Sequence, residues 1–209
     1  MKVIGITGII GSGKSTVTRY ILSKGYEVLD ADAMYKEMTV PNSNTVAEIV
    51  NIFGEKVKNE DGSLNKKALA DIVYNDKREL RKLEKVTTEV IVHNIKEIVK
   101  QHKEENSIEE AKLSEKNATK ELLFIDAPLL IEFKLHEICD YIWLVVADHD
   151  TIIKRVEQRD KISKETIEAI LNNQIPLKEK EKYATHIVDN SKNIDDLYTI
   201  IEGILDNTR

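Results

Sequence analysis

Gly8, Gly13, Lys14 and Ser15 stand at the spacing G-x-x-x-x-G-K-[ST], with Gly11 and Ser12 inside the loop and Thr16 directly after it. Chains of ordinary composition and this length match the pattern about once in a hundred, glycine being about 7% of residues. The residue types suit phosphate. Glycines let backbone N–H groups turn inward around anionic oxygens with no Cβ in the way, and a helix opening near Lys14 adds its positive end. Lys14 reaches the β and γ phosphates of a nucleotide such as ATP, and the Ser15 hydroxyl is a ligand for Mg²⁺. Such a loop must follow a strand and open a helix. The apolar run 2–7 supplies the strand, and Val17, Tyr20 and Ile21, at helical spacing before Gly25, supply the helix.

Phosphoryl transfer needs more than a cradle. A carboxylate beside the loop must orient the acceptor hydroxyl and take its proton. Asp30 and Asp32, in the stretch DAD after a second apolar run, are the candidates. Asp32 reads equally as the N-cap of a helix over 33–38. Asp126 ends a third run before Ala127 and Pro128, where it either holds Mg²⁺ through water or forms the turn. Arg155 and Arg159 lie four apart on a helix expected over 150–160, with Ile152, Ile153 and Val156 on its other side. They could close over the transferring phosphoryl group or form a solvated face. The five histidines show no ligand spacing. A guanine reader of the form N-K-x-D is absent from the sequence, and Ile187, Val188, Asp189 and Asn190 do not supply one, which disfavours a GTPase switch. A small-molecule kinase remains, with a nucleotide-binding protein lacking chemistry as the alternative.

These residues need a scaffold. At 209 residues the chain fits one α/β domain with appendages or one small subdomain. The balance of 31 basic against 37 acidic residues, a formal charge of −6, offers no general attraction to nucleic acid or anionic membranes. A single cysteine, Cys139, reads as a structural thiol, and no apolar run approaches the length of a membrane span. A soluble, unprocessed, cytoplasmic protein is expected, with no obligate protein partner evident. Continuous apolar runs at 2–7, 26–30, 122–126, 141–147 and 186–188 read as strands covered on both faces, and the helical patterns between them imply a mostly parallel sheet. Residues 33–100 read as an all-helical insertion. The charged stretch 101–120 reads as a solvated helix extension or a mobile loop.

The chain resembles the dephospho-coenzyme A kinases. The likeness rests on ITGIIGSGKST, VLDADAMYKEM, APLLIEFKL, KRVEQRD and HIVDNSK, which occur in family order. It implies a P-loop NTPase fold, a three-layer parallel sheet of order 2-3-1-4-5 with a helical acceptor-binding insertion and a helical lid. Residues 1–32, 121–147 and 186–209 would form the nucleotide-binding core, 33–120 the acceptor subdomain and 148–185 the lid. It implies transfer of the ATP γ-phosphoryl group to the ribose 3′-hydroxyl of dephospho-CoA. Asp32 would be the general base, Lys14 and Ser15 would serve ATP and Mg²⁺, and Arg155 and Arg159 would be lid arginines. Leu129, Leu130 and Glu132 would line the acceptor side, and Asn190 would lie near the adenine. Three departures from the family pattern stand out. Ile9 stands where glycine is usual, Thr88 and Glu89 where many members carry His-Pro, and Lys178, Lys180 and Lys182 where relatives often place a further arginine.

Overall fold

The computed structural model describes residues 1–74, 76–110 and 121–208. They form two compact units, one of residues 1–29 with 99–209 and one of residues 30–98.

The first unit is built on five parallel strands, β1 (Lys2–Gly8), β2 (Glu27–Asp30), β3 (Leu122–Asp126), β4 (Tyr141–Val146) and β5 (His186–Asp189), in the order β2-β3-β1-β4-β5. That is the order the resemblance implied. β1 lies at the centre, with Ile4 opposite both Phe124 of β3 and Tyr141 of β4. Its residues from Val3 onward are all buried, which is why the run carries no polar alternation. On one face Ile4, Ile6, Phe124, Trp143 and Val145 pack beneath α1 (Lys14–Ser23) and α10 (Ile194–Thr208), which contribute Val17, Ile21, Leu197, Ile201 and Leu205. Tyr26, Phe124 and Trp143 meet edge to face, with ring centroids 5.4 Å apart in each pair. On the other face Gly5 admits Leu130 and Cys139, since a Cβ there would stand 2.6 Å from Leu130 Cδ2.

After β4 come α7 (His149–Asp160), α8 (Lys164–Asn173) and α9 (Leu177–Glu181). Asp148 caps α7 by accepting the Thr151 N–H, and Ser163 caps α8 by accepting that of Thr166. Ile152, Ile153 and Val156 of α7 and Ile167 of α8 form a core that these two helices share, and Ile9 and Ile10 of the phosphate loop pack against it. The loop therefore packs against α7 and α8.

The second unit is helical, with α2 (Ala31–Met38), α3 (Asn44–Phe53), α4 (Lys66–Val73), α5 (Lys77–Val86) and α6 (Thr88–Glu110) as far as Ile98. Val46, Ile49, Val50, Phe53, Val57, Leu64 and Leu69 form its core. Among the described residues its only β pairing is an isolated bridge between Lys58 and Leu64. Of the charged stretch, 101–110 continues α6 as helix, and 111–120 lies outside the described residues. Among the described residues no helix is long and apolar enough to cross a membrane.

Candidate active site

The phosphate loop follows β1 and opens α1. Gly11 has φ +76° and Gly13 φ +88°, conformations that a side chain would strain. A Cβ on Gly11 would also stand 2.7 Å from Val156 Cγ2 of α7. Gly13 occupies the N-cap of α1 and supplies no side-chain cap, so the N–H groups of Lys14 and Ser15 are left for a ligand. Gly8 ends β1 beneath Ser12, where a Cβ would meet Ser12 Oγ at 2.6 Å. Ser12 is fully buried, Ser15 is exposed, and Thr16 is half-buried with its N–H bonded to the Gly13 carbonyl at 2.9 Å.

Lys14 pairs with Asp126 at the end of β3, and Thr18 Oγ1 donates to the other oxygen of that carboxylate. Asp126 is 3% exposed; the lysine balances its charge, and a hydroxyl one turn along α1 satisfies its other oxygen. The strand-terminal acid is thus a partner of the phosphate-loop lysine as well as a candidate for the metal. The metal ligands expected from the sequence are one hydroxyl, Ser15, and one carboxylate, Asp126. A sparse set suits Mg²⁺, which keeps several waters and takes phosphate oxygens as ligands. No cluster of three or more His, Cys, Asp or Glu residues suited to a metal occurs among the described residues.

The two arginines of α7 have separate surroundings. Arg155 Nη2 donates to the Asn190 carbonyl at 2.9 Å. Its Nη1 is buried without a partner and lies 3.5 Å from where a Cβ on Gly13 would be, so an unused cationic donor faces the loop. Arg159 instead grips Asp160 through Nε at 2.7 Å and Nη2 at 2.8 Å, with 62% of its side chain exposed. That contact raises the guanidinium pKa further and holds the Asp160 carboxyl below its usual value.

Asp32 lies in the second unit, two residues after β2 and exposed. The N-cap of α2 is Asp30, whose Oδ1 accepts from the N–H groups of Asp32 and Ala33 at 2.9 and 3.0 Å. The capping role that the sequence left open for Asp32 therefore falls to Asp30. Between the two acids in DAD, the upstream one already has the extended backbone a cap requires.

The PLL-x-E turn divides in the same way. Leu130 is fully buried against Gly5, whereas Leu129 is 46% exposed. Glu132 Oε1 accepts from Lys180 Nζ at 2.8 Å, and Lys180, 2% exposed, also donates to the Pro128 carbonyl at 3.3 Å. Of Lys178, Lys180 and Lys182, Lys180 is thus internal and Lys182 pairs with Glu179 at the surface. Thr7 Oγ1 donates to the same Pro128 carbonyl at 3.2 Å.

Asn190, expected near the adenine, donates its Nδ2 to the Ser12 carbonyl at 2.9 Å. Gln174, which carried no sequence signal, accepts the Ile10 N–H at 3.1 Å. A single glutamine between helices resembles any other surface amide until the chain brings it to the loop.

The dephospho-CoA kinase family model matches residues 2–196. A dephospho-CoA kinase of Fusobacterium nucleatum is 34% identical over 202 residues, covering 97% of this chain and 96% of the relative. Among solved structures, TT1252 from Thermus thermophilus superposes with a TM-score of 0.77 at 31% identity, covering 100% of this chain and 98% of that one. A dephospho-CoA kinase from Campylobacter jejuni gives 0.69 at 26% identity, with the same coverage. The phosphate loop, the strand order and the Lys14–Asp126 pair all lie within the matched residues, and the chain belongs to the dephospho-CoA kinase family.

Proposed function

We propose that the protein transfers the γ-phosphoryl group of ATP to the ribose 3′-hydroxyl of dephospho-CoA, releasing CoA and ADP. Membership of the family over nearly the whole chain carries the reading, and the loop geometry supports its chemical half. The acceptor oxygen bonds to the γ phosphorus, the bond from that phosphorus to the β–γ bridging oxygen breaks, and the hydroxyl proton passes to Asp32. Loop N–H groups of Gly11, Gly13, Lys14 and Ser15 hold the phosphates, while those of Ile10, Ser12 and Thr16 are bonded within the protein. Lys14 exchanges its carboxylate partner for β and γ oxygens, and the buried Nη1 of Arg155 donates to charge on the nucleotide. Arg159 releases Asp160 and swings in as the lid closes. Mg²⁺, held by Ser15 and through water by Asp126, would neutralise charge on the β and γ oxygens. Leu129 and Glu132 face the acceptor, and Leu130 supports their turn from beneath. The reading includes a cytoplasmic location, with ATP and dephospho-CoA as partners and neither nucleic acid nor membrane involved.

The test is a mass-spectrometric assay with MgATP and dephospho-CoA, beside adenosine, a nucleoside monophosphate and an acceptor-free control. Dephospho-CoA gaining one phosphoryl group is the expected result. ATP consumption with another acceptor alone, or with none, would overturn the assignment.

A further inference from the structure

Asn190 follows β5 and is 5% exposed, a costly place for an amide unless its groups are used. Three hydrogen bonds use them. Its backbone N–H extends the β4–β5 ladder to the Val146 carbonyl at 2.8 Å. Its side-chain Nδ2 reaches the Ser12 carbonyl at 2.9 Å, and its own carbonyl receives Arg155 Nη2 at 2.9 Å. The amide orientation follows from the partner, because a carbonyl oxygen can only accept and the flipped amide would set two oxygens together. Gly13 records the same contact from the other side. A Cβ there would stand 1.9 Å from Nδ2, so the loop can approach Asn190 only through a glycine.

The Ser12 carbonyl and the Gly13 N–H belong to one planar trans peptide and point in opposite directions. Holding the carbonyl toward Asn190 turns the Gly13 N–H away from it, to the side on which a loop of this kind presents donors to phosphate. We infer that Asn190 is a positioning residue that sets the phosphate loop and Arg155 relative to each other, and that its side chain does not read the nucleotide base. This rests on the proposed nucleotide site but not on the identity of the acceptor.

Calorimetry with ATP, GTP and inorganic tripolyphosphate tests it on wild type and Asn190→Ala. Loss of the clamp weakens all three ligands by a common factor of about ten, the worth of one hydrogen bond near charge. The ratio of ATP to GTP affinity stays unchanged. A merely structural role would lower the fraction of protein that binds and leave the dissociation constants alone. Asn190→Ser, with a donor on a shorter stem, gives the same readout should the alanine variant not fold. Loss confined to ATP, or no loss for tripolyphosphate, would overturn the inference. Binding of all three by wild type without transfer to dephospho-CoA would remove the acceptor assignment and leave the clamp standing.

Discussion

The ammonium of Lys14 is ion-paired with the Asp126 carboxylate, and Thr18, one turn along α1, donates to the same carboxylate. The pair lets a buried acid and the lysine of the phosphate loop each satisfy the other. Lys14→Met strands the acid and is expected to lower stability by about 3 kcal/mol, the usual cost of breaking a buried pair. Asp126→Asn in the same chain should recover part of that loss, since a neutral amide needs no counter-charge. Urea denaturation of the two single variants and the double variant measures the coupling.

Asp32→Asn should leave ATP affinity near that of wild type and lower kcat by at least about 100-fold, as for a lost general base. Asp30→Ala is the control for the cap, and should cost about 1 kcal/mol of stability. Single-turnover kinetics and thermal melts on both variants separate the roles, and unchanged turnover in Asp32→Asn would remove it from the mechanism.

Arg155 and Arg159 should respond differently to alanine. Arg155→Ala removes a donor already aimed at the loop, and a fall in kcat of about 100-fold or more is expected. Arg159→Ala breaks only an exposed, solvent-screened contact with Asp160. Its melting temperature should barely move, and any loss of turnover then belongs to the catalytic step. Steady-state kinetics beside calorimetric melting distinguishes the two arginines.

Lys180→Met should destabilise the chain by about 3 kcal/mol, because the half-buried Glu132 loses its cation. Lys180→Met with Glu132→Gln should be milder. The acceptor KM should rise more than the ATP KM in the single variant, because the turn carrying Leu129 loses its tie to α9. Equal changes in both would contradict the link between Lys180 and the acceptor side.

The cap of α7 titrates in acid. Hydrogen bonds from the hydroxyl and N–H of Thr151 hold the Asp148 carboxyl below its ordinary value. Its unfolded value is about 3.9, so its contribution is complete above about pH 4 and is lost as pH falls through the lower folded value. In the Asp148→Asn variant the asparagine amide caps comparably and does not titrate. The two proteins should unfold alike at pH 6, and wild type should lose ground to the variant below pH 4. Parallel acid titrations followed by circular dichroism measure the difference.

The glycines, Lys14 and Ser15 could be read from their spacing, because a phosphate cradle is a local device whose backbone demands are written within one loop and the first turn of one helix. β1, β3 and β4 could be read for a related reason, since residues buried on both faces leave an unbroken apolar run, whereas the edge strands β2 and β5 are only partly buried and not covered on both faces as their apolar runs suggested. Assigning the cap to Asp30 rather than Asp32 required backbone angles, for both acids suit the role by type. The division between Arg155 and Arg159 required the tertiary structure as well. Spacing of four puts two side chains on one side of a helix, but only the arrival of β5 beside α7 supplies the Asn190 carbonyl that holds the first of them. Asn190 lies 178 positions from Ser12, Gln174 lies 164 from Ile10, and Lys180 lies 48 from Glu132. Such pairs have no period and no neighbouring signal, because each exists only when the parallel sheet gathers the strand ends and the helices that follow them.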